Sequence, residues 1–173
     1  MQTRFADWRE LSFDEIWCVD TEYYPGSGLA NGGRDGDPIT SLCLTAIELR
    51  SGRTVQIWQD ELGPFPPYRL DRNVLFVSYM LTAEFGFHRA LGWGQPACAI
   101  DAYIEFRHVT NDARVKSGDR PKGFYSLAGA VRYLKLGEID VAHKDDMRDR
   151  IIQGPPFTTD ERRTIQAYNL DDT

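Results

Sequence analysis

Cysteine is scarce in this chain, and histidine equally so. Cys18, Cys43 and Cys98 each sit in apolar sequence with no C-x-x-C pair. This odd set reads as buried free thiols and not as disulfides or zinc ligands. His88, His108 and His143 are scattered without metal-ligand spacing, so a zinc enzyme is not indicated. No apolar run is long enough to span a bilayer, and the opening MQTRFADWRE lacks the basic-then-apolar order of a secretory leader. The chain therefore reads as cytoplasmic, with no membrane partner. Positive charge is also short, with 20 Lys and Arg against 26 Asp and Glu. That balance disfavours a module that grips nucleic acid through basic surface alone. No G-K-[ST] phosphate loop is present, so a nucleotide triphosphatase is not supported.

What is there suits one ordinary domain spanning residues 1–173, with enough apolar and aromatic sequence for a core. Ile16-Trp17-Cys18-Val19 reads as a buried strand that ends in Asp20-Thr21-Glu22. Residues 23–38, rich in Gly, Pro, Asn and Asp, read as a long loop. Two strands follow, joined at Ser51-Gly52 as a hairpin. Residues 73–80 form a fourth strand, and 82–93 a helix with Phe85, His88 and Leu91 on one face. Residues 96–101 form a short fifth strand ending at Asp101. Polar residues 107–123 read as a loop, whose Arg114, Lys116, Arg120 and Lys122 could track a phosphate backbone. Helices are expected over 124–137, stopped by Gly137, over 144–154, stopped by Gly154, and over 158–173. Thr158 or Thr159 can cap the last of these, and Asp160 and Glu161 suit its first turn. The order of elements predicts an α/β or α+β domain with a mixed sheet.

The question lies in the acids. Positions i and i+2 of a strand share a face, so Asp20 and Glu22 would project side by side. Two carboxylates that close share a proton or hold a cation. Glu84 falls in the first turn of the helix after the fourth strand. Tyr168 and Asp172, four apart in the last helix, share a face and can close a cage with the first pair. Each residue taken singly has an ordinary reading: a solvated strand end, an acid at a helix N-terminus, a carboxylate at a frayed terminus, a core aromatic. Order and spacing together favour a site.

VDTE, then an acid soon after the strand LFVSY, then a terminal Y-x-x-x-D, resemble the DEDD superfamily of 3′-5′ exonucleases. The closest resemblance is to the tyrosine (DEDDy) branch, in the proofreading domain of family A DNA polymerases. It runs from about residue 14 to the end. It implies a ribonuclease H-like α/β fold, a five-stranded mixed sheet flanked by helices. It also implies a phosphodiester hydrolase that releases nucleoside 5′-monophosphates from single-stranded or frayed DNA 3′ ends, and a polymerase module in cis or in trans. By this resemblance Asp20, Glu22, Glu84 and Asp172 hold two Mg2+ or Mn2+ ions, which suit hard oxygen ligands. Tyr168 aligns the attacking water, and Asp101 is a supporting or structural acid. Tyr23, Phe85 and Phe87, with Tyr24, are candidates to stack on unpaired bases. The second motif departs from the family, with Glu84 where an aspartate is usual and Met80 where an asparagine is usual. An exoribonuclease of the same superfamily and a weakly active nucleic-acid-binding or polymerase scaffold are the alternatives. Asp172 lies one residue from the end, so we expect a fragment of a longer chain or a partner that orders this end.

Overall fold

The computed structural model describes residues 7–25, 39–111 and 121–173. The Gly-rich stretch 26–38 and the basic positions Arg114, Lys116 and Arg120 lie outside these. The described residues form five strands, β1 (Glu15–Pro25), β2 (Ile39–Glu48), β3 (Thr54–Trp58), β4 (Val74–Ser78) and β5 (Ala99–Asp101). The helices are α1 (Leu81–Ala90), α2 (Ala102–Thr110), α3 (Leu127–Tyr133), α4 (Val141–Gln153) and α5 (Thr159–Asp172).

The sheet runs in the order β3-β2-β1-β4-β5. β1 pairs antiparallel with β2 and parallel with β4, and β5 continues parallel to β4. This is the five-stranded mixed sheet flanked by helices that the sequence predicts, the arrangement of ribonuclease H-like folds. Alternation along β1 sorts its side chains between two layers. Trp17 and Val19 join Leu44, Phe76, Phe87 and Trp93 in one core. On the other face Leu42, Cys43 and Trp58 meet Ile151, Ile165 and Tyr168 from α4 and α5. Helices cover both faces, so Ser41–Ala46 of β2 are buried without a break.

The structure redraws several boundaries. β1 does not stop at Glu22: Tyr23–Pro25, expected in the loop, continue to pair with β2 after a bulge between Glu22 and Tyr23. Ladder hydrogen bonds hold the backbone extended whatever the side-chain charge. Arg107–Thr110, expected in a loop, are helical in α2, which Asp101 caps by accepting from Tyr103 N and Ile104 N. α3 ends at Tyr133, before Gly137, whereas α4 does stop at Gly154 and begins earlier, on the cap Asp140. α5 starts on Thr158 with a capping box to Glu161. The thiols are free, but only Cys43 is buried; Cys18 and Cys98 are half-buried. No helix among the described residues is long and apolar enough to cross a membrane.

The β2–β3 hairpin forms with Gly52 at φ 72, and its organiser is Glu48. One carboxylate oxygen accepts from Ile16 N and Arg50 N at 3.0 Å. The other accepts from Ser51 N at 2.7 Å and Ser51 Oγ at 2.6 Å. Burial alone would raise its pKa, but these donors outweigh burial and lower it to about 2. A depressed folded value means stability present above the unfolded value of 4.5 and lost as pH falls through about 2. Glu48→Gln cannot accept at Ser51 with its amide nitrogen. It should cost about 1–2 kcal/mol at pH 7 and flatten the stability profile between pH 5 and 2, as read by urea denaturation.

Candidate metal centre

β1 carries Asp20 and Glu22 toward its carboxyl end on the face that α4 and α5 cover. α5 crosses that face with Ile165 and Tyr168 buried against Leu42, and this docking carries Asp172, one turn further on, to the same place. One carboxylate oxygen from each of Asp20, Glu22 and Asp172 lies within 4.8 Å of the others. The spacing-based expectation for these three is met, and the Tyr168 ring packs beside them.

Electrostatics mark the cluster as unbalanced. Burial first, and then the charge of Asp172, raise the pKa of Asp20 to about 7. Burial, Asp20 and Asp172 push Glu22 well up. Burial and the neighbouring Glu22 and Asp172 carboxylates also raise the Tyr168 hydroxyl, so it does not ionise near neutrality. A hard dication would relieve this repulsion, and an all-oxygen donor set suits magnesium or manganese. The residues present fit such an ion.

Two further residues belong to the site and were not read from the sequence. Lys144, on α4, ion-pairs with Asp172 and holds its ammonium 5.5 Å from the centre of the Tyr168 ring. Its charge favours the ionised forms of Asp20 and Glu22. Asn169, fully buried, donates Nδ2–H to Asp20 Oδ2 at 2.6 Å, while its Oδ1 has no partner. The signal for Lys144 was its helical spacing to Met147 and Ile151, which α4 turns toward the sheet, and for Asn169 a polar residue on the buried stripe of α5.

Glu84 is not in the cluster. It is 1% exposed and accepts from Thr21 Oγ1 at 2.5 Å. Thr21 alternates with Asp20 and Glu22 and so faces the opposite layer, where α1 packs. Burial and the charge of Asp20 raise the Glu84 pKa, with the Thr21 hydrogen bond opposing them. Asp101 proves structural: besides capping α2 it accepts from Met80 N at 3.3 Å and Leu81 N at 3.1 Å. This serves the start of α1, where Met80 has φ 77 and offers no side-chain cap.

The stacking candidates divide. Phe87 is 0% exposed in the core, so it cannot receive a base; vacating its place would cost about 3–5 kcal/mol. Phe85 is half-buried. Tyr23 and Tyr24 belong to β1 and not to a loop, and they pack against the two cores. His88, also on α1, is buried. Its Nδ1–H can only donate to Gly94 O at 2.7 Å, which leaves Nε2 to accept from the Tyr68 hydroxyl at 2.8 Å. It is a neutral core residue and holds no metal.

Raised acid pKa values make the metal-free protein less stable as pH rises from about 4 through about 7. Mn2+ at a hundredfold excess over its Kd should raise Tm by about 5–10 °C at pH 8 and by much less at pH 5.5, where protons compete. Asp20→Asn should raise the metal-free Tm at pH 8 and abolish the Mn2+ response. Lys144→Met should lower the metal-free Tm by about 3–6 °C, with Mn2+ restoring it. Differential scanning calorimetry reads all three.

No family model matches the chain, and no curated protein does. Among solved structures it is similar to the family B DNA polymerase from the hyperthermophilic archaeon Pyrobaculum calidifontis. The TM-score is 0.50, with 15% identity over 91% of this chain and 23% of that one. The chain thus spans about a quarter of that polymerase. At this identity the likeness shows the fold alone: the chain shares its α/β fold with part of a DNA polymerase. The polymerase is of family B, not of the family A that the sequence motifs lead us to expect.

Proposed function

We propose that this chain is a divalent-metal-dependent 3′-5′ exonuclease domain that trims DNA ends, working with a polymerase module in the same chain or on a partner. The observation that carries this reading is the convergence of Asp20, Glu22 and Asp172 oxygens within 4.8 Å at the carboxyl end of β1. Bound there, Mg2+ or Mn2+ would supply an activated water and neutralise charge on the phosphoryl oxygens, as two-ion sites do in phosphodiester cleavage. Asp20, Glu22 and Asp172 would hold the first ion. Glu84, bonded to Thr21 on the opposite layer, would reach a second ion beside Asp20 only by leaving Thr21 and that layer. The Tyr168 hydroxyl stays protonated and orients the attacking water by hydrogen bonding. Lys144 holds Asp172 in place and offsets part of the negative charge that a phosphate must approach.

The flank beyond β4 and β5 supports an unpaired strand as substrate. Arg107 lies over the Tyr103 and Tyr125 rings at 5.5 and 5.3 Å, and Tyr133 is 54% exposed. Guanidinium groups and aromatic rings receive stacked bases whatever their sequence. Asp101 ties this flank to the start of α1, at the same end of the sheet as the acids. A scaffold with the fold but little activity is the second reading, favoured by the withdrawal of Glu84 from the cluster.

The test is digestion of 5′-labelled single-stranded DNA and RNA with Mg2+ or Mn2+. The proposal expects a ladder receding from the DNA 3′ end. Asp20→Asn and Asp172→Asn should slow trimming by about 100- to 1,000-fold, and Tyr168→Phe by at least about tenfold. Trimming of RNA alone would reassign the substrate. No trimming with either metal would support the scaffold, and undiminished trimming by Asp20→Asn would overturn the assignment of Asp20 to the metal.

A further inference from the structure

Asn169 is the residue whose presence packing does not explain. On α5 it follows Tyr168 and precedes Asp172 on the stripe that meets the sheet, and it is 0% exposed. A buried amide destabilises the fold for each polar atom left without a partner. Asn169 Oδ1 is such an atom, with no hydrogen bond to it. Leucine has the same branched skeleton with somewhat bulkier tips and would occupy the place without that cost. The compensating contact is the short hydrogen bond from Nδ2 to Asp20 Oδ2 at 2.6 Å.

The contact matters because the three acids are not equally held. Asp172 is fixed by the ammonium of Lys144. Among the described residues no cation contacts Asp20, and Asn169 is its hydrogen-bonding side-chain partner. Repulsion from Asp172 would otherwise favour turning the Asp20 carboxylate away from the cluster. We infer that Asn169 is a positioning residue for Asp20: its amide pins Oδ2 and leaves Oδ1 to serve a cation shared with Glu22 and Asp172. The same hydrogen bond fastens α5 to β1 across the site, so the distance between Asp172 and Asp20 is set by the residue that also orients Asp20. Groups that orient a metal ligand in this way alter metal affinity by about 10- to 100-fold when removed.

This inference rests on the metal reading of the cluster, and the experiment separates the two. Mn2+ affinity is measured at one fixed pH by the electron paramagnetic resonance signal of free Mn2+, on the full chain freed of metal. The metal-free Tm is recorded in parallel for the unmodified protein, Asn169→Leu and Asn169→Ala. The expected result is a 10- to 100-fold weaker Mn2+ affinity for Asn169→Leu, with the metal-free Tm unchanged or higher. If Asn169→Leu does not fold, Asn169→Ala carries the same expectation for affinity. Wild-type affinity in a folded Asn169 variant would overturn the positioning role while leaving the metal site standing. An unmodified protein that binds no Mn2+, or binds it as well after Asp20→Asn, would overturn the metal reading and this inference with it.

Discussion

Repulsion among carboxylates at the end of a central strand is the constraint on which this structure turns. Asp20 and Glu22 project from the same face of β1, and α5 brings Asp172 against them. At close range and shielded from water, like charges cost far more than at a surface. The fold opposes that cost with one lysine and one amide, and the acids still favour their protons. A stability-driven arrangement would separate these groups or place an apolar residue among them. A site that accumulates unpaired negative charge is arranged to receive positive charge.

The rest of the molecule serves to hold that arrangement in place. The capping box at Thr158 and Glu161 fixes where α5 begins, and Arg150 on α4 reinforces it through an ion pair to Glu161 at 2.5 Å. Ile165 and Tyr168 set the rotation of α5 against the sheet, and that rotation determines that Asn169 and Asp172 point at β1. At the opposite end of β1, Glu48 draws Ile16 into the hairpin. The two ends of β1 use carboxylates in contrasting ways. Glu48 is ringed by donors and stays ionised, whereas Asp20 and Glu22 face one another and resist ionisation. The same chemical group thus stabilises structure at one end and, in the proposed reading, prepares a cation site at the other.

Much of this was legible in the sequence, and the reason is periodicity. The i, i+2 relation of Asp20 and Glu22 and the i, i+4 relation of Tyr168 and Asp172 are local rules, and the structure keeps both. The layered α/β order followed from alternating apolar runs and helical stretches in the same way. What failed were inferences that need the third dimension. Glu84 sits in the first turn of its helix as read, but which face of the sheet that helix covers is not written in α1. Phe87 is as aromatic as any stacking residue, and only burial shows that it belongs to the core. Lys144 and Asn169 lack a spacing relation to Asp20, since 124 and 149 positions separate them from it along the chain. β1 extended past its charges because its partner strand, and not its own composition, decided where pairing ended.

In the proposed function, three carboxylates from the two ends of the chain jointly bind a divalent cation. Anomalous X-ray scattering at the manganese edge from a crystal grown with Mn2+ tests it most directly. The account predicts an anomalous peak within about 2.0–2.6 Å of oxygens from Asp20, Glu22 and Asp172, the range of hard-cation bonds to oxygen. Carboxylates spread apart with no peak between them at saturating Mn2+ would contradict it.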